Sequence, residues 1–462
     1  MLLEIKLALG GVRRNLNDYS VYFATFAFCS CLLYTYASCR DYLLALGTGS
    51  VSLEVFTQAA DVVAPLGVFS VVVFCFLARY ANRFLVRRRK AELAMMELVG
   101  MGRGSVASVL LMECALVAAG ALVVGISLGV ALSPAFAALA SWAFGLAWRP
   151  VVVASAEGAW FATMSFLAVS VASALGSLAE LRRTSLLDLM QARRVSDAAH
   201  VRPKAMVVLE LLAGLALLGS AYGICWWSAQ MFMAFMIPVA ILACLGTYLL
   251  LRAGASIVSS VVRRARGVYL KGLTCFVVRQ LEAHVAGSCA ALTSASALLA
   301  VGVCALGLAV GIRAVPRGDS ALVSDADFQA MVGTLVYIVL FFGVAFVVSA
   351  VAVLALQQMS EVSKSRGTFC ELRRLGAEDR ELSRALLAQV CVYFLVPSAM
   401  ATVHDLSGFV AADGILEILG VPGGNVNYGV VLATVLAAFA AYLVVTYRAC
   451  RRSVLPRRPR SS

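Results

Sequence analysis

Charge and histidine are scarce in this 462-residue chain. Asp, Glu, Lys and Arg make up 14% of it, and its three histidines, His200, His284 and His404, lie far apart. A soluble domain carries about 25% charged residues, so that class is excluded. Neither His-Glu-x-x-His nor Gly-x-Ser-x-Gly occurs, and no Cys-rich or carboxylate-rich metal spacing surrounds the histidines. None of Lys6, Lys90, Lys204, Lys271 and Lys364 follows a glycine, so the Gly-Lys-Ser/Thr step that cradles nucleotide phosphates is missing. No catalytic residue, metal ligand or cofactor is therefore expected, and any ATP hydrolysis must come from another protein.

What the chain has in abundance is apolar length. It is 62% apolar with a mean hydropathy of +0.91. Low-charge windows long enough to cross a bilayer fall at 19–38, 62–82, 107–132, 152–177, 205–226, 231–251, 286–311, 329–356, 386–403 and 429–447. The runs do not alternate, so they read as helices and not as barrel strands. The expected fold is an all-α polytopic membrane protein of about ten spans. These divide 4-2-4 into a first four-helix repeat over 1–190, a two-helix connector over 191–265 and a second repeat over 266–462.

Positive charge sets the orientation. With the N-terminus in the cytoplasm, only Arg40, Arg149, Arg313 and Arg317 of the 38 Lys and Arg fall outside. The outer loops are then net acidic and the inner face strongly basic. The formal charge of +13 thus reflects topology and anionic lipid, not nucleic acid. Both termini are expected on the cytoplasmic side of the plasma membrane. Most of the 13 cysteines sit within the apolar windows and read as small packing residues. No signal peptide is expected, because Lys6, Arg13 and Arg14 interrupt the N-terminal apolar run; residues 1–16 read as an interfacial helix or as an extension of the first span.

One short charged segment occurs twice. Setting Gly100 on Gly376 places Lys90 on Arg366, Leu93 on Phe369, Met96 on Leu372 and Val99 on Leu375, and each segment leads directly into a new span. A Val-Arg step, Val12-Arg13 and Val278-Arg279, opens the first and seventh windows alike. Both halves have the same orientation, which is a parallel repeat. A basic segment with an apolar stripe and a glycine stop is suited to meeting a soluble partner, or to resting on lipid headgroups. In the partner reading Leu93, Met96, Val99, Phe369, Leu372 and Leu375 anchor in a groove, ringed by Arg89, Lys90, Glu92, Glu97, Arg366 and Arg373, with Gly100 and Gly376 as stops.

These residues resemble a known family. Arg89-Lys90-x-Glu92-Leu93, then Glu97-Leu98-Val99-Gly100-Met101-Gly102 and a span opening at Val106, look like the FtsX-like (MacB-type) ABC transporter permease domain. The 4-2-4 order, with Leu181 to Met190 after the fourth span, is similar to the bacitracin-export branch. The resemblance implies a permease subunit that pairs with a separate ABC ATPase, expected as a homodimer, and that exports or extracts an amphiphile such as a peptide antibiotic. It also implies that a sensor kinase can stand beside it. The branch carries a large extracellular domain between spans seven and eight, whereas here only Ile312 to Asp327 joins them. Alternatives are an FtsX-type regulator transmitting force to an extracytoplasmic partner and an ion-driven secondary transporter.

Several other residues invite a reading. Glu113 lies within the third span, where a lone charge is costly; it is expected either to pair with Arg79 or Arg83, or to mark a polar path. Glu210 has the same interfacial explanation. The pairs Gly125/Gly129 and Gly307/Gly311 allow close helix crossing, inside the chain or at a dimer seam. His404-Asp405 reads as a solvated dipeptide of an outer loop.

Overall fold

The computed structural model describes residues 10–11, 16–38, 41–42, 67–145, 150, 152–183, 203–269, 273–313, 326–418 and 426–454. These form helices α1 (Leu16–Ala37), α2 (Gly67–Leu98), α3 (Arg103–Phe144), α4 (Ala156–Arg183) and α5 (Lys204–Trp227). A short α6 (Ala229–Ala234), then α7 (Met236–Arg264) and a single turn α8 (Arg266–Tyr269), lead to α9 (Thr274–Arg313), α10 (Ala326–Arg374), α11 (Asp379–Ile418) and α12 (Tyr428–Val454). No strand occurs among the described residues. Among the described residues eight helices are long and apolar enough to cross a bilayer: α3, α4, α5, α7, α9, α10, α11 and α12. The first two expected windows fall on α1, whose apolar stretch is Tyr22–Ala37, and on α2. The link 314–325 lies outside the described residues.

Two boundaries differ from the sequence expectation. The charged segments are not separate surface helices: α2 and α10 run unbroken from their apolar stretches to Leu98 and Arg374. With 49 residues, α10 is about 74 Å long against a hydrocarbon core of ~30 Å, so much of it stands clear of lipid. Likewise α11 continues through Pro397 to Ile418, so His404, Asp405 and Asp413 are helical and not in an outer loop. Packing explains the continuation. Gly408 lies against Cys304, Leu416 fills the notch at Gly311, and Asp405 is fully buried. Close to the proline, the Ser398 hydroxyl donates to the Phe394 carbonyl at 2.8 Å, the kind of side-chain bond that makes proline tolerable in a membrane helix.

The chain forms two compact units, residues 1–196 with 317–341, and residues 197–316 with 342–462. The connector residues 197–265 therefore belong to the second unit, and α10 contributes to both. In the first unit α1 is the hub. Its Phe26 meets Phe74 of α2 and Phe166 of α4, each at 5.7 Å between ring centres, and the latter two rings stack at 5.3 Å. Along α3, Gly125 lies against the Ala27 carbonyl and Ser30, and Gly129 against Tyr34. In the second unit Gly302 and Gly343 let α9 and α10 cross closely, while Gly307 and Gly311 receive Tyr428, Leu416 and Val426. Gly214 and Gly246 bring the backbones of α5 and α7 together. Both glycine pairs singled out in the sequence are thus used inside the chain, which removes the dimer-seam alternative for them. Gly219 and Gly223 on α5, by contrast, have no atom within 4 Å of where a Cβ would lie.

A Cβ and its branches at Gly125 have nowhere to go, because the obstacle is backbone. Gly125→Val should lower the stability of the detergent-purified protein by about 1–3 kcal/mol or prevent insertion. Gly219→Ala adds a methyl into open space and should be neutral or stabilising by up to about 1 kcal/mol. Thermal unfolding followed by circular dichroism measures both.

Candidate functional site

The repeated segments end in the same way, bond for bond. At the end of α2 the Gly100 amide donates to the Glu97 carbonyl (3.1 Å) and the Met101 amide to the Met96 carbonyl (3.1 Å). After α10 the Gly376 amide donates to Arg373 (3.2 Å) and the Ala377 amide to Leu372 (3.1 Å). This is the Schellman arrangement, which satisfies the last carbonyls of a helix and needs one residue in the left-handed region. Gly100 at φ 101° and Gly376 at φ 98° supply it. In each half the next helix begins three residues later, at Arg103 or Asp379, and buries Val106 or Leu382 at the same step.

The six expected anchors divide into three kinds. Leu93 and Phe369 are buried, Phe369 against Phe276 at 5.8 Å, so they are core residues and not partner anchors. Met96 and Leu372 are half-buried. Val99 and Leu375 project outward, 85% and 84% exposed. The cause is helical period: positions three and four apart share the face turned to the protein, and the residue at the cap leaves that face as the chain turns. Met95 and Leu98 on α2 are also exposed. Arg373 reaches Asp379 across the second turn at 3.1 Å. The side chains of Lys90 and Arg366 lie outside the described residues.

Arg89 is the larger correction. It is not part of a charged rim, being only 1% exposed, and it pairs with Glu113, which is 0% exposed. The Glu113 carboxylate also accepts from the Tyr19 hydroxyl at 2.6 Å, and the Arg89 guanidinium lies over the Tyr19 ring at 5.6 Å. Glu92 takes a second bond from Arg89 at 3.1 Å. Gly11 abuts the same carboxylate, so a side chain there would collide with it. Four segments of the first unit therefore meet on one ion pair. The expected partners of Glu113, Arg79 and Arg83, have side chains outside the described residues, and Arg89 takes the place proposed for them. The signal was present in the spacing: Ala78, Asn82, Leu85, Val86, Arg89 and Leu93 are all buried and fall on one face of α2.

In the second unit Glu210 pairs with Arg252 at 3.4 Å. His404 sits between the Tyr222 hydroxyl (2.8 Å) and the Thr247 hydroxyl (2.9 Å), while the Cys304 thiol donates to Asp405 at 3.4 Å. His404 and Asp405 thus face different neighbours, and the arrangement does not assemble a nucleophile, base and orienting acid. No group of three or more His, Cys, Asp and Glu fit for a metal ion occurs among the described residues. A mainly apolar cavity of about 410 Å³ lies at the α5–α7 turn, bounded by Ser220, Gly223, Ile224, Trp227, Met231 and Phe235.

Removing one member of the buried pair strands the other. Arg89→Met should cost about 3–5 kcal/mol, and Arg89→Met with Glu113→Leu should recover most of that loss. Thermal melts of the two variants in one detergent make the comparison.

A comparison with curated proteins returns no match. The family described as FtsX-like permease C-terminal matches residues 64–186 and 340–454, just over half of the chain. Each matched stretch contains one glycine-ended segment and the span that follows it. With that match and its membrane-spanning helices, the chain belongs to the FtsX-like permease family, the membrane subunits of ABC transporters.

Proposed function

We propose that this permease is driven by a separate ABC ATPase gripping the exposed turns at Gly100 and Gly376. The observation that carries the reading is the pair of outward-facing apolar residues, Val99 and Leu375, at matched positions on two identically built helix ends. A small apolar knob at the tip of a basic helix fits a groove, and the surrounding charges set its orientation. Nucleotide-driven closure of two ATPase subunits would then move α2 and α10 and, through the three-residue turns, α3 and α11. The chain acts as two four-helix repeats, 1–190 and 266–462, around the connector 191–265. Both turns and both termini lie on the cytoplasmic side of the plasma membrane.

For the substrate we favour an amphiphile such as a peptide antibiotic, exported or extracted at the outer leaflet, as in the bacitracin-export branch. The acidic outer loops favour a cationic head, and the cavity beside Trp227 suits an apolar portion. One observation favours a second reading, an ion-driven carrier: Asp405 is a fully buried carboxyl in mid-helix. Vesicles separate the two, since uptake of a fluorescent peptide antibiotic should require ATP and the partner ATPase, and uptake on an ion gradient alone would favour the carrier.

Val99→Asp with Leu375→Asp should weaken capture of the partner ABC ATPase by thirtyfold or more, about 2 kcal/mol, while insertion and melting temperature stay unchanged. Undiminished capture would remove the docking reading. Leu93→Asp should instead unfold the first unit, since that side chain is core.

A further inference from the structure

The Ser383 and Tyr447 hydroxyls meet at 2.7 Å, which joins the first turns of α11 to the last turns of α12. Further along the same two helices Phe394 packs against Phe439 and Tyr442, with ring centres 5.9 and 5.5 Å apart. The helices therefore run antiparallel, and the apolar window 386–403 begins at the level where 429–447 ends. A tyrosine where an apolar run gives way to charge is a common anchor at a membrane surface. Of the eight helices fit to span, α12 is the least buried, so most of its surface is left to lipid.

Five arginines gather at that level. Arg380 and Arg384, one turn apart on α11, and Arg448, Arg451 and Arg452 on α12 are all exposed. Glu381 is the one acid in the stretches 380–384 and 448–452, and the neighbouring Asp379 is taken by Arg373. Among the described residues none of the five forms an ion pair. The arginines of α12 have a local reason, because cations suit the carbonyl end of a helix. Those of α11 have none, since the start of a helix carries its positive pole and suits acids. Nor does the repeat call for them: the register that sets Gly100 on Gly376 puts Gly104 and Ser108 where Arg380 and Arg384 stand.

We propose that this corner of the second unit binds the phosphate of an anionic phospholipid such as phosphatidylglycerol, with the acyl chains laid along α12. Arginine presents a flat fork of donors that grips phosphate oxygens two at a time. Arg384 and Arg448 directly follow the two bonded hydroxyls, one on each helix, and the positive pole of α11 adds to their field. The level selects a lipid over a free anion: a headgroup phosphate lies where the apolar runs stop, and the open flank of α12 receives the chains. The site stands apart from the glycine turns and does not depend on what they grip.

Native mass spectrometry of the full chain in detergent, supplied with equal amounts of phosphatidylglycerol and phosphatidylcholine, tests it. Each arginine at a lipid surface contributes about fivefold in affinity, so wild type should hold one phosphatidylglycerol about thirtyfold more tightly than phosphatidylcholine. Arg384→Gln with Arg448→Gln should abolish that preference. Arg263→Gln with Arg264→Gln, which deletes two exposed arginines from the end of α7, should change it by less than about twofold. Inorganic phosphate at the same concentration should leave the bound lipid in place. Equal retention of the two lipids by wild type would overturn the proposal, and that comparison decides even if a variant does not fold. An equal loss in the two double variants would reduce the effect to net charge and overturn the site. Displacement by inorganic phosphate would overturn the lipid as its occupant.

Discussion

A helix that leaves a bilayer has to end, and its last four carbonyls then need partners. In this chain the two helices that carry the repeated charged segment meet that need in the same way, with a left-handed glycine and two backbone bonds folded back on the last turn. The choice has consequences beyond capping. Because the chain satisfies its own carbonyls, the turn does not depend on neighbouring side chains and can stand in the open. Because the turn is short, the next helix starts within three residues and shares any displacement of the first. Exposed position and tight linkage, the two properties a coupling element needs, follow from one backbone conformation.

Around each turn the buried polar groups do a different task. An Arg–Glu pair sealed by a tyrosine and a backbone glycine holds particular faces of α1, α2 and α3 together, since parting them strands the buried Glu113 carboxylate. Elsewhere the contacts between spans rely on small residues, with Gly125, Gly302 and Gly343 admitting a neighbour's backbone or branched side chain. Lipid offers little hydrophobic drive for helices to associate, so close fit carries the association and the few polar contacts specify it.

Much of this was legible beforehand. Apolar windows located the helices, and the glycine alignment located the turns. Where sequence and fold differ the cause is common, because in a sequence alone a charge reads as a sign of water. Arg89 stands in a run of four basic residues and so reads as surface, although its spacing from Asn82, Leu85 and Leu93 puts it on the buried face. His404 and Asp405 read as the end of a span, whereas in the fold hydroxyls and a thiol receive them and α11 continues to Ile418. Partners that lie 24 to 182 residues away in sequence decide such cases, and no local window contains them.

The long helices also differ in stiffness. Pro134 in α3 and Pro397 in α11 each remove one rung from the backbone ladder. No proline interrupts the 49 residues of α10. A rod of that kind does not fold on itself when one end is pressed; it tilts. Its first turns belong to one compact unit and its remainder to the other, so one unbroken rod is shared between them.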